Sequence, residues 1–121
     1  MEERIVKVKI GGKEYAMLFS VRASQLISVK FGSIQKMGEA LQSETDAQEK
    51  MATTCWLLAA LIGQGQKAMS FETGRVYDAP SAEALECIVT PGDIPRLLTA
   101  VRECIVNGSK RTLETDTDEG N

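Results

Sequence analysis

The stretch Val6-Lys7-Val8-Lys9-Ile10-Gly11-Gly12-Lys13-Glu14-Tyr15-Ala16-Met17 decides the reading of the fold. Val6, Val8 and Ile10 alternate with Lys7 and Lys9, and Tyr15, Met17 and Phe19 alternate with Ala16 and Leu18. Two such runs around Gly-Gly read as a β-hairpin over residues 4–20 with a type I′ turn, because both central positions of that turn need positive φ. The turn fixes the register: Ile10 faces Lys13, Lys9 faces Glu14, Val8 faces Tyr15 and Val6 faces Met17. Apolar pairs then share one face and an opposite-charge pair takes the other. A slip of one residue would destroy both features. An isolated hairpin is marginal in water, so the apolar face needs helices to pack on.

The sequence beyond the hairpin supplies those helices. Ser20 suits the N-cap of a helix running to about Phe31, with Gly32 at its end and Ser33 capping the next. That second helix places Ile34, Met37 and Leu41 at helical spacing, and Gln42–Asp46 reads as a loop. A third helix is expected from about Ala47 to Ile62. Met51, Cys55, Leu58 and Ile62 make one face of it, while Trp56, Leu57 and Leu61 cover others. A helix apolar nearly all round is central in a core or half-exposed at a partner interface. Gly63 and Gly65 are expected to stop it. Residues 66–80, with Met69, Phe71, Val76 and Tyr77 around Thr73-Gly74, read as a loop or a second small hairpin. A short helix is expected over about 82–89 with Leu85 and Ile88 inward. Thr90-Pro91-Gly92-Asp93 reads as the start of a last helix, with Thr as cap, Pro at N1 and Asp in capping-box position. Ile94, Leu97, Leu98, Val101 and Ile105 form its stripe, and Asn107-Gly108 ends it. The fold class is therefore α+β: an N-terminal hairpin followed by about five helices packed on it. Residues 1–108 form one domain, and 109–121 read as a disordered acidic tail.

Composition narrows the functions. A chain of 121 residues can bury roughly two-thirds of its unfolded surface and fold without disulfide or metal staples. The longest strongly apolar run, Cys55–Ile62, is far short of the roughly 20 residues a bilayer span needs. The start MEERIVKVKI has acids and no apolar segment of a signal peptide, so the protein is expected to stay in the compartment where it is made. Net charge is −3, but Thr112–Asn121 holds four acids and no base, which leaves 14 bases against 13 acids in residues 1–111. A nearly neutral folded part argues against nucleic acid as a partner. The acidic tail reads as a solubility device or as an arm for a basic partner.

The chain has no histidine, so the commonest general base and the commonest metal ligand are missing. The cysteines at 55, 87 and 104 are odd in number and lack C-x-x-C spacing, which favours reduced thiols. Gly63-Gln64-Gly65-Gln66-Lys67 is loop-like but follows a helix, and helix C-termini do not bind phosphate. Ser33 and Lys36 stand at S-x-x-K spacing, but Ser33 is better explained as a helix cap. Glu39, Glu44, Asp46 and Glu49 cluster without the pattern of a calcium loop. No catalytic, cofactor-binding or metal residue is assigned, and the chain is expected not to be an enzyme.

The ordered features together carry a resemblance. A hairpin with Lys9-Ile10-Gly11-Gly12-Lys13-Glu14-Tyr15 followed by Leu18-Phe19 leads into a helix ending Lys30-Phe31-Gly32-Ser33. Met37-Gly38-Glu39-Ala40-Leu41, the apolar run Leu57-Leu58-Ala59-Ala60-Leu61-Ile62 and the Pro91-Gly92-Asp93 helix start follow. Over residues 4–108 this resembles the tail assembly chaperones of long-tailed bacteriophages, as found in phages and prophages of Gram-positive bacteria. The family often carries acids in the first helix, where this chain has Leu26-Ile27-Ser28-Val29. The resemblance implies a non-catalytic role. Such chaperones bind the tape measure protein, a very long helical protein, and keep it soluble until tube subunits polymerise around it. It also implies action in the cytoplasm of the bacterial host and absence from the mature virion, with the tail tube protein as a further partner. Recognition would be helix-in-groove, many weak contacts adding along a long partner, with self-association of the chaperone as a linked expectation. Leu26 and Ile27 on the first helix and Trp56, Leu57 and Leu61 on the third are the candidate partner-binding residues. Core packing is the competing reading of each. Competing functions are a structural tail or head-tail joining protein of the particle, and a small nucleic-acid-binding regulator using Arg4, Lys7, Lys9 and Lys13 with Lys110 and Arg111.

Overall fold

The computed structural model describes residues 4–43 and 46–110. The tail expected from 109 onward lies outside the described residues from 111, as does part of the Gln42–Asp46 loop. The described part is α+β, with strands β1 (Val6–Ile10) and β2 (Lys13–Met17) and helices α1 (Val21–Phe31), α2 (Ile34–Ser43), α3 (Ala47–Thr73), α4 (Ala82–Ile88) and α5 (Ile94–Gly108). A 3-10 turn, Pro91–Asp93, leads into α5.

The hairpin has the register its sequence dictates: Val6↔Met17, Val8↔Tyr15, Lys9↔Glu14 and Ile10↔Lys13. Gly11 and Gly12 both hold positive φ, at 59° and 82°, as a type I′ turn requires. Val6, Val8, Ile10 and Met17 are buried. The ion pair differs in detail from expectation. Glu14 reaches diagonally to Lys7 at 4.0 Å, across an exposed face.

Ser20 caps α1 by accepting the Ala23 N–H, and Ser33 caps α2 by accepting the Lys36 N–H. The cap explanation of the Ser33/Lys36 spacing therefore stands. Asp46 does the same for α3 through the Gln48 N–H, and Ser81 for α4 through the Ala84 N–H. Ahead of α5 the Thr90 N–H and hydroxyl both donate to the Asp93 carboxylate.

The largest departure is α3. It does not stop at Gly63 or Gly65 but runs 27 residues to Thr73, where Gly74 in the left-handed region closes it. Two internal glycines cost a helix about 1 kcal/mol each relative to alanine, and tertiary contact overrides that cost. A Cβ on Gly65 would overlap the carbonyl of Ala16 and crowd the Met17 nitrogen. Only glycine lets α3 press its axis against the outer edge of β2. On either side of Gly65, Gln66 and Leu61 satisfy that edge: Gln66 Oε1 accepts the Ala16 N–H at 2.9 Å, and the Leu61 carbonyl accepts the Leu18 N–H at 3.1 Å. Residues 66–80 are therefore neither a loop nor a hairpin. They are the last two turns of α3 and an extended return, tied down by Gln66 Nε2 donating to the Asp78 carbonyl and the Tyr77 N–H donating to Ser70 Oγ.

The core lies between the hairpin face and α3, with α1, α4 and α5 around it. Leu57, Leu58, Leu61 and Ile62 are all fully buried, so α3 is the central helix. From α5, Leu97, Leu98, Val101 and Cys104 are buried, whereas Ile105 is half-buried at the edge of the stripe. Ile88, expected inward, is 42% exposed. It sits over the hairpin turn, where a Cβ on Gly11 would come within 2.6 Å of its Cγ2.

Gly65→Ala should destabilise the fold by about 2–3 kcal/mol, because backbone rather than a flexible side chain must give way. Gly63→Ala, which meets nothing within 4 Å, should instead stabilise it by about 0.5–1 kcal/mol through helix propensity. Urea unfolding of the two variants measures both shifts, and equal effects would refute the packing role of Gly65.

Candidate functional site

The candidate partner-binding residues separate into two groups. Ile27, Leu57 and Leu61 are fully buried and pack in the core, so they form no surface patch. The reason is the central position of α3: α1, β2, α4 and α5 surround it, and its all-round apolar character serves them. Leu26 and Trp56 are half-buried. Trp56 meets Phe31 edge to face, with ring centroids 5.9 Å apart and planes at 81°, and Lys30 Nζ lies over the indole at 5.1 Å. Phe31 and Lys30 are the last residues of α1, so this cluster joins α1 to α3. The Trp56 side chain is occupied by intramolecular contacts worth about 0.5–1.5 kcal/mol each.

The concave surface lies elsewhere. The start of α3 diverges from the 3-10 turn and the first turns of α5, leaving two adjoining cavities. One, of about 380 Å³, is lined by Gln48, Met51, Ala52, Cys55, Glu86, Val89, Thr90, Pro91 and Ile94. The other, of about 510 Å³, adds Ala47, Lys50, Pro95, Leu98, Thr99 and Arg102. Met51, Pro91 and Ile94 line both, so the cavities join into one groove. Local chemistry opens it. Pro91 sets the 3-10 turn and Pro95 sits at the start of α5, where a missing N–H costs nothing. Met51, Pro91 and Ile94 give the shared part of the lining its apolar character, while Lys50 and Arg102 line one cavity and Glu86 the other.

Cys55 is the thiol that lines the groove. Burial raises the Cys55 thiol above its ordinary value, and the negative charge of Glu86 adds to the effect. The thiol on the floor is thus protonated and a poor nucleophile at neutral pH. Cys104 is pushed up to about 12, chiefly by burial, with the Phe19 backbone acting the other way. Cys87 is exposed and free. Among the described residues no group of three acidic or thiol side chains could hold a metal ion, and no helix is long and apolar enough to cross a membrane. Phe71 and Val76 are exposed at 89% and 90% but line neither cavity, and single exposed apolar side chains are ordinary.

The groove escaped sequence reading because its two walls lie about forty residues apart along the chain. Thr90-Pro91-Gly92-Asp93 was legible as a helix start, but its distance from Met51 was not. Pro91 and Pro95 flanking the apolar Ile94 were the local signal of a helix start, and both prolines line the groove.

The thiols give a direct check. At pH 8 a disulfide reagent should label Cys87 in the native chain and reach Cys55 and Cys104 only after denaturation. Cys104 also sets a pH slope. The unfolded thiol loses its proton near the ordinary value of 9.0, while the native one keeps it to about 12. The unfolded state binds fewer protons in that window, so the Cys104 contribution is complete below about pH 9 and falls as pH rises toward 12. Cys104→Ala should flatten the alkaline decline of the urea midpoint relative to the native chain. Compared with protein-family models, curated proteins and solved structures, the chain matches none of them.

Proposed function

We propose that this chain is a non-catalytic chaperone that shelters the apolar stripe of an amphipathic helix in the groove between α3 and α5. The partner is a long helical protein, as the resemblance to phage tail assembly chaperones implies for the tape measure protein. The observation that carries the reading is the apolar trio Met51, Pro91 and Ile94 shared by two adjoining cavities, with Lys50, Arg102 and Glu86 among the other lining residues. A row of side chains at i, i+3, i+4 and i+7 needs that shape.

The rim charges orient the partner. Lys50 and Arg102 suit acidic side chains or the negative C-terminal end of a helix, and Glu86 suits the opposite end. Each site is small, so affinity comes from many chaperone copies along one long partner. On this reading the protein works in the host cytoplasm, hands its partner on as the tail tube assembles, and is left out of the virion. Contact with the tube protein and self-association along the tape measure belong to the same proposal.

The test is co-expression with the long helix-rich protein encoded beside it. The partner's soluble fraction should rise with the native chain. Ala52→Arg, which fills the groove from an exposed position, should abolish the gain without unfolding the chain. The double variant Lys50→Glu/Arg102→Glu should weaken co-purification about tenfold or more, and high salt should mimic it for an acidic partner. Full solubilisation by Ala52→Arg would overturn the assignment of the groove.

A further inference from the structure

Helix α1 packs on the core through Ala23 and Ile27, its two buried residues. At 3.6 residues per turn the stripe opposite them runs through Val21, Gln25 and Val29. Val21 is 77% exposed and Val29 87%, and Arg22, Gln25 and Ser28 between them are exposed as well. One exposed valine is ordinary. Two on a single stripe of a single helix form a face. The solvent side of an amphipathic helix is usually its charged side, but the α1 sequence VRASQLISVKF holds no acid. Of its two bases, Lys30 lies over the Trp56 ring. Arg22 alone charges the outer face.

That face is complementary to itself. Val21 and Val29 stand four residues on either side of Gln25. An antiparallel pair of α1 helices with its two-fold axis at Gln25 sets each residue opposite the one equally far beyond Gln25 in the other copy. Val21 then meets Val29 of the second copy, at both ends of the contact. Gln25 meets its own equivalent, and a glutamine amide both donates and accepts. Arg22 falls opposite Ser28 and Lys30 opposite Ser20, so no like charges coincide. The same geometry gives Arg22 a partner. In its own helix it stands in the first turn, the positive end of the helix dipole, where a cation is disfavoured. In the antiparallel pair it lies at the last turn of the other helix, where the unpaired carbonyls favour a cation.

We infer that α1 is an interface between two copies of this chain, an antiparallel two-fold pairing of Val21, Gln25 and Val29. The size of the face sets its strength. The 11 residues of α1 span about 16 Å at helical rise. One helix face of that length falls short of the roughly 800 Å² per partner of a standard interface, so the dimer is weak and reversible. The groove lined by Met51, Pro91 and Ile94 belongs to α3 and α5 and shares no residue with this face. The pairing therefore stands independently of what the groove binds. Where the groove takes a long helix, a dimer offers two grooves, and their linkage raises avidity with no further contact.

Sedimentation of the full chain, with no helical partner present, tests the pairing. The average mass should rise from that of a monomer toward that of a dimer between about micromolar and millimolar protein. Gln25→Glu sets two carboxylates on the axis and Gln25→Lys two ammonium groups. Each should weaken the dimer at least about tenfold at low salt. Mixing the two variants should restore association, because a glutamate then meets a lysine. Both substitutions keep helix propensity at an exposed position, and an unchanged circular dichroism spectrum verifies the fold. A chain that stays monomeric up to millimolar concentration would overturn the inference. So would a dimer indifferent to both substitutions, or a mixture that associates no better than either variant alone. Failure here leaves the groove assignment untouched, and failure of the groove leaves this face untouched.

Discussion

The approach of α3 to β2 at Gly65 is the contact on which the rest of the structure depends. A two-stranded hairpin has no stability of its own in water. Here its β2 edge is closed by a helix instead of a third strand, with Gln66 Oε1 and the Leu61 carbonyl taking the Ala16 and Leu18 N–H groups. Each of those donors would cost about 1–3 kcal/mol if buried without a partner. Because Gly65 carries no Cβ, the helix axis comes close enough for a glutamine side chain and a helix carbonyl to act as strand surrogates. The same Gln66 bonds Asp78 and so fixes the path of the return segment to α4. One close approach therefore sets the position of the hairpin, the length of α3 and the placement of α4.

Local chemistry made the outer shell of this architecture legible. Gly11-Gly12 and the alternation on either side specify the hairpin register residue by residue. The serine caps at positions 20 and 33 and the glycine at 32 mark helix ends with one hydrogen bond each. What could not be read locally was the second half of α3. Gly63 and Gly65 carry the signal of a stop, and only the β2 backbone alongside gives Gly65 its other use. Phe71 and Val76 misled in the same way, since apolar residues around Thr73-Gly74 suggest a hairpin but are mostly exposed here.

The candidate site followed the same division. Apolar residues on every side of α3 allowed either a core or an interface, and Leu57 and Leu61 belong to the core because β2, α1, α4 and α5 close around α3. Trp56 has the side chain of a binding anchor, yet Phe31 and Lys30 already occupy it. The groove is built from residues that are unremarkable one by one. Met51, Pro91 and Ile94 matter because they line both cavities between α3 and the start of α5. A rigid floor with adaptable charged side chains at the rim suits recognition of a repeated, amphipathic partner better than a single lock for one ligand.

The central claim is that this groove receives an amphipathic helix, and nuclear magnetic resonance titration tests it most directly. Helical peptides cut from the long partner would be added to the isotope-labelled full chain, and the shifted amides mapped. The account predicts shifts at Met51, Ala52, Ile94, Thr99 and Arg102, with the amides around Trp56 and Leu26 unmoved. Binding mapped to the Trp56 and Leu26 surface, or to Phe71 and Val76, would contradict it.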